Sequence, residues 1–151
     1  MRIEFYPAAW PCRSYYAFNG EKIRIRSGKA GFYWEAEGGI YETCASNDPT
    51  IYRNGEIIAQ RRTSDGKFVF TWSNPVYIWQ ITLQDGRKEE IIKTRSKNKS
   101  VIHWKSNDGK RIMTFCRVGW GLNGTAVFRS DWADRIGLLV GMVVPEILST
   151  G

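Results

Sequence analysis

The segment RIGLLVGMVVPEIL, Arg135–Leu148, limits what this chain can fold into more than any other stretch. From Ile136 to Val144 no position carries a polar side chain. A helix that is apolar on every face cannot lie on a protein surface and must be walled in on all sides. The residues before it carry helix-start signals. Ser130 or Asp131 can serve as N-cap, and Asp131 and Asp134 suit the positive end of the helix dipole. Pro145 reads as the stop, with EILSTG following it. These signals predict a helix over 131–144, about 20 Å long and too short to cross a bilayer. Gly137 and Gly141 lie four apart on one face, where absent side chains let a neighbouring wall come close. The competing reading is a buried strand, since Val140, Val143 and Val144 are β-branched and each glycine costs a helix about 1 kcal/mol. The cap and the acidic first turn favour the helix.

The rest of the sequence supplies material for walls. Asn19-Gly20, Asn54-Gly55, Asp65-Gly66, Asp85-Gly86, Asp108-Gly109 and Asn123-Gly124 punctuate it. Asn and Asp tolerate positive φ and Gly has no Cβ, so such pairs close tight hairpins. Between them the pattern has period two. In KIRIRS, Ile23 and Ile25 oppose Lys22, Arg24 and Arg26. In KFVFTW, Phe68, Phe70 and Trp72 share a face, and in VYIWQITL Tyr77, Trp79, Ile81 and Leu83 do. In RIMTFCR, Ile112, Thr114 and Cys116 oppose Arg111, Met113, Phe115 and Arg117. Strands are expected near 3–7, 13–18, 22–27, 31–36, 39–45, 50–53, 56–62, 67–72, 76–83, 88–95, 100–105 and 110–118, with another near 124–128. Aromatic residues make up 14% of the chain, a richness that also favours strands.

An antiparallel meander of about a dozen strands must close, because an open sheet of that size leaves edges and an apolar face exposed. Closed, it is too wide to be filled by its own side chains. The apolar helix solves both problems, with strands wrapped around it. The expected fold is all-β with one helix: a closed antiparallel barrel of about twelve strands around a buried C-terminal helix, in one domain over 1–151.

In this the chain resembles the tubby C-terminal domain and its relatives, the LURP-one and phospholipid scramblase proteins. The likeness lies in the meander, in segments such as IYRNGEIIAQ and SNDGKRIMTF with their polar turn before an apolar strand, and in DWADRIGLLVGMVV as the core helix. It covers nearly the whole chain and is architectural. The resemblance implies an antiparallel barrel with a hydrophobic core helix, and docking on phosphoinositides through basic surface residues.

Charge points the same way. The net charge is +7, and between Ile91 and Arg117 eight basic residues stand against Asp108 alone, an excess equal to that whole net charge. An anionic partner follows: nucleic acid, anionic lipid or an acidic protein. Lys93, Arg95, Lys97 and Lys99 alternate, so a strand running through them would project them from one face as a ladder. With Lys105, Lys110 and Arg111 they form the candidate headgroup-binding set on an outer face, the alternative being a merely solvated face. Nucleic-acid binding is the runner-up, with Trp72, Tyr77, Trp79 and Trp104 as stacking platforms. A lipocalin-like carrier of an apolar ligand is the third reading, and it weakens if the helix fills the lumen.

No catalytic constellation assembles in the sequence, so a non-enzymatic binding or scaffold protein is expected, with no cofactor, no metal site and no catalytic residues. His103, the one histidine, sits on an alternating strand where packing or solvation is its ordinary role. It is also the only base that could activate a cysteine. Glu35 and Glu37 fall on one strand face and could form a carboxylate pair. The three cysteines, Cys12, Cys44 and Cys116, have no CxxC spacing, which fits a reducing compartment. MRIEFYPAAWPCRSYY lacks an apolar signal-peptide core and no run reaches transmembrane length, so a cytoplasmic protein is expected. Oligomeric state is not legible in the sequence.

Overall fold

The computed structural model describes residues 2–7, 15–18, 22–28, 31–44, 49–63, 77–83, 85–95, 101–117 and 124–148. The described residues are mostly antiparallel β, with one α-helix at the C-terminal end. Its strands are β1 (Arg2–Pro7), β2 (Tyr15–Phe18), β3 (Lys22–Gly28), β4 (Gly31–Ala36), β5 (Gly39–Cys44), β6 (Thr50–Arg53), β7 (Glu56–Thr63), β8 (Tyr77–Thr82), β9 (Lys88–Arg95), β10 (Val101–Ser106), β11 (Arg111–Arg117) and β12 (Gly124–Phe128). A 310 helix, Ser130–Arg135, leads into the α-helix α1, Ile136–Leu148. Each strand pairs with its sequence neighbours, and β1 pairs with both β2 and β12. The strand expected at 67–72 lies outside the described residues.

The turn chemistry acts as the sequence suggests. Asn54 and Gly55 both take positive φ, 50° and 86°, to join β6 to β7. The Asn54 side-chain oxygen accepts a hydrogen bond from the Ile40 amide at 2.9 Å, fixing that hairpin against β5. Glu37 and Gly38 form the β4–β5 turn with φ of 52° and 71°. Glu37 is therefore a turn residue, and it does not share a strand face with Glu35.

Period two also sorts inside from outside, with one instructive exception. Ile23 and Ile25 are buried while Arg24 and Arg26 are exposed. On β11 the expected opposition of Ile112 to Met113 fails, because both are buried. The β10–β11 register passes from Trp104↔Met113 to Lys105↔Arg111, which leaves Ile112 unpaired. That bulge turns two consecutive side chains inward.

α1 packs into the core of the sheet. Leu138, Leu139, Val140, Met142, Val143 and Val144 are all buried, in one apolar cluster with Trp34, Ile51, Trp79, Ile91, Trp104 and Phe115 among others. Each such side chain contributes about 1.5–3 kcal/mol relative to leaving it exposed. The glycine face leaves no room for side chains. A Cβ on Gly137 would stand 2.3 Å from the Tyr41 ring, and one on Gly141 would stand 2.9 Å from both Trp34 and Ile51.

The ends of the helix depart from expectation. The N-cap position of the 310 helix is Arg129, without a side-chain capping bond. Asp131 instead holds the Arg129 guanidinium, with Nε 3.0 Å from its carboxylate. The cap of α1 comes from a distant part of the chain: the Gly137 amide donates to the Glu37 carboxylate at 3.0 Å. Beside it, Trp34 Nε1 donates to the Gly137 carbonyl at 3.1 Å. Pro145 does not stop the helix, which runs on to Leu148. A proline inside a helix removes a backbone bond and costs about 3 kcal/mol, so the last turn must be held by something else. No helix among the described residues is long and apolar enough to cross a membrane.

Candidate functional site at the C-terminal end of the helix

What holds the last turn is a buried charge cluster. Glu146, one residue past the proline, is 0% exposed. Its carboxylate accepts hydrogen bonds from Lys93 on β9, Arg95 on β9 and, at 3.0 Å, Arg61 on β7. Arg117 on β11 donates to the Glu146 backbone carbonyl at 2.8 Å. Carbonyls in a last helical turn have no intrahelical partner and carry the negative end of the dipole, so cations suit them. The strands deliver these groups by alternation. Ile91, Lys93 and Arg95 share one face of β9, and Ile91 lies in the core, which points the two cations inward beside it.

Tyr77, directly opposite Lys93 in register, presents its ring to the cluster. Lys93 Nζ lies 4.4 Å from the ring centre and Arg61 Cζ lies 4.6 Å from it. Both are cation–π distances, and such contacts gain strength away from water.

Burial lowers the Lys93 pKa to about 8, with Arg61 and Arg95 pushing the same way and Glu146 opposing. Burial pushes the Glu146 carboxyl up, but Lys93, Arg95 and Arg61 outweigh it and hold it below the ordinary carboxylate range. Burial and Arg95 lower the Arg117 pKa. Glu146 is thus ionised at neutral pH, and among the described residues three cationic side chains hold its carboxylate while a fourth, Arg117, holds its backbone carbonyl. The cluster is graded in access: the Lys93 side chain is 1% exposed, Arg61 12% and Arg95 27%.

The structure divides the basic set that the sequence puts together. Lys93 and Arg95 do share a face, but it is the inner one, where Glu146 takes both. Lys97 and Lys99 lie outside the described residues. Lys105, Lys110 and Arg111 are exposed, with Lys105 and Arg111 opposite each other in the β10–β11 register. They stand at the other end of the sheet, because β9 runs alongside α1 from Glu89, 3.8 Å from Arg135, to Arg95 at Glu146. Burial lowers the His103 pKa, and Arg111 and Lys105 lower it further. Its Nδ1 is 3.0 Å from Thr114 Oγ1.

The stacking platforms fare differently from expectation. Trp79 and Trp104 are fully buried, so neither ring can receive a base, and Tyr77 is covered by Lys93 and Arg61. Trp72 lies outside the described residues. Sequence reasoning misses Glu146, Arg61 and Glu37 as tethers of the helix. The one available signal is Glu146 itself, a carboxylate that follows Pro145 at the end of the nine-residue run without polar side chains. Compared with known proteins, the chain matches no protein-family model, no curated protein and no solved structure.

Proposed function

We propose that the chain closes into a tubby-like barrel around α1 and works as a non-enzymatic binding protein. In this reading it docks reversibly on the phosphate-bearing headgroups of anionic lipid, at the rim where α1 ends. The pairing of β1 with both β2 and β12 supports closure. One observation carries the function: among the described residues Arg61, Lys93 and Arg95 converge on the Glu146 carboxylate, and Arg117 on its backbone carbonyl, at one end of the sheet. Like charges packed together repel, and a phosphate at the rim would relieve that repulsion while taking charge-assisted hydrogen bonds from the partly open arginines. Arg61 has a donor to give, since its Nε is buried without a partner among the described residues.

The docking face of this proposal is the rim with Arg95, extended along the chain to Lys97 and Lys99. Each cation near an anionic surface contributes about 1 kcal/mol, and the effect is screened by salt. Burial of Trp79 and Trp104 weighs against nucleic-acid stacking, and α1 in the interior weighs against a lumenal carrier.

The test is co-sedimentation with anionic and with neutral vesicles at low and moderate salt. Two variants accompany it: Arg95→Ser with Lys97→Ser and Lys99→Ser, and Lys105→Ser with Arg111→Ser. Salt-sensitive binding to anionic vesicles alone, lost in the first variant and kept in the second, is the expected result. Loss in the second variant only would move docking to the opposite end. No binding under any condition would remove the lipid reading.

A further inference from the structure

At the other end of α1 the wall opens into a cleft of about 330 Å³. Its floor is apolar, built from Tyr41, Ile58, Ile81 and Leu138, and its rim carries Arg53 and Arg135. We propose that this cleft binds a small amphipathic carboxylate, with the apolar body on the floor and the carboxylate against Arg53 and Arg135.

Three observations support this. The first is an unspent donor. Arg53 Nε is buried and has no hydrogen-bond partner among the described residues. The guanidinium carbon stands 5.9 Å from the Tyr41 ring centre, and Gly39 makes room for the side chain, since a Cβ there would stand 2.9 Å from Nε. A buried donor left unpaired is costly, and an arriving carboxylate would satisfy it in the fork geometry that guanidinium favours.

The second is charge. Of the charged residues that line the cleft, Arg87 and Asp85 take each other, which leaves Arg53 and Arg135 against Glu37. Asp85 accepts from the Arg87 amide at 3.0 Å and pairs with its guanidinium. Glu37 caps α1 through the Gly137 amide. Arg135 lies 4.4 Å over the Trp132 ring, and its contact with Glu89 is a long 3.8 Å. The cleft therefore selects a negative ligand.

The third is size. Taking water's share of about 30 Å³ as a yardstick, the cleft holds about ten heavy atoms. That suits an eight-carbon acid or a single substituted ring.

Octanoate, octanol and octylamine are the probes, titrated into the full chain by calorimetry and followed in amide chemical shifts. Octanoate should bind saturably at one site, with shifts at Tyr41, Ile81 and Leu138. Octanol should bind at least tenfold more weakly and octylamine not at all. Arg53→Met and Arg135→Met should each weaken octanoate at least tenfold, while Arg95→Ser, at the opposite end of the helix, leaves it unchanged. That control separates this site from the lipid-docking rim, so either can fail without the other. If Arg53→Met does not fold, the wild-type shifts and the octanoate-to-octanol ratio decide. No saturable binding, equal affinity for octanol, or shifts away from the cleft would overturn the assignment.

Discussion

The Lys93 ammonium donates to the Glu146 carboxylate across 53 residues of sequence, tying β9 to the last turn of α1. With Arg61, Arg95 and Arg117 joining from three strands, that turn is held although Pro145 has removed one of its backbone bonds. At the other end Glu37 and Trp34 hold Gly137. The helix is thus fastened to the sheet by polar contacts at both ends and by apolar packing between them.

The partners of this pair are not equivalent. Glu146→Gln removes the carboxylate charge that Lys93, Arg61 and Arg95 share, so it should cost about 3–5 kcal/mol, the range for breaking a buried pair from one side. Lys93→Met leaves Glu146 with Arg61 and Arg95 and removes the burial cost of an ammonium, so stability should change by about 1 kcal/mol or less. Urea unfolding of the two single variants and the double measures this. Equal costs for the two singles would contradict the cation-excess account.

The same cluster sets the pH response. Glu146 titrates below its ordinary 4.5 in the folded protein, so the unfolded chain binds more protons as pH falls through that region. Its stabilisation is complete above about 4.5 and is lost below. Acid sensitivity in that window should therefore shrink in Glu146→Gln. Lys93 titrates near 8 when folded against 10.5 ordinarily. Between those values the unfolded chain again holds the extra proton, so stability rises with pH. Subtracting the Lys93→Met curve from that of the native protein should isolate this gain.

Much of the fold is legible because its signals are local. Asn54-Gly55 must turn, Ile23 and Ile25 must face together, and the run from Ile136 to Val144 must be enclosed. The face taken by Lys93 is a different kind of fact. In IIKTR, Ile91 lies on one side and Ile92 on the other, so period two puts an apolar residue on both faces and cannot say which is inner. What decides is Glu146, far along the chain and beyond a proline that reads as a stop. The Ile112 bulge is hidden for a related reason: one extra residue in a ladder leaves no mark in composition. The cap from Glu37 is equally non-local, because it exists only once the β4–β5 turn meets the helix.

That distant cap makes a separable prediction. Glu37→Ala removes the acceptor for the Gly137 amide and should cost about 1 kcal/mol, as loss of an N-cap does. Position 37 also has a φ of 52°, so Glu37→Gly loses the same bond but relieves backbone strain. Thermal unfolding should place Glu37→Gly above Glu37→Ala. The reverse order would mean that the turn, not the cap, sets the effect.

The glycine face gives the sharpest test of enclosure. A methyl on Gly137 would meet the Tyr41 ring at 2.3 Å, and one on Gly141 would meet Trp34 and Ile51 at 2.9 Å. Tyr41 has little room to retreat, since it stacks against Trp34 with ring centres 6.0 Å apart, and Trp34 is itself bonded to the Gly137 carbonyl. Gly137→Ala should therefore be the worse of the two alanine variants. Overpacking of this kind costs about 1–3 kcal/mol, with Gly141→Ala at the low end because its contacts are the longer ones. Gly141→Asp adds an unpaired charge in the same wall at several kcal/mol more and should abolish soluble folded protein. A helix on the outside of the sheet would gain stability from both alanines, since each replaces the poorer helix former. The sign of the Gly141→Ala change, read by urea unfolding, separates the two arrangements.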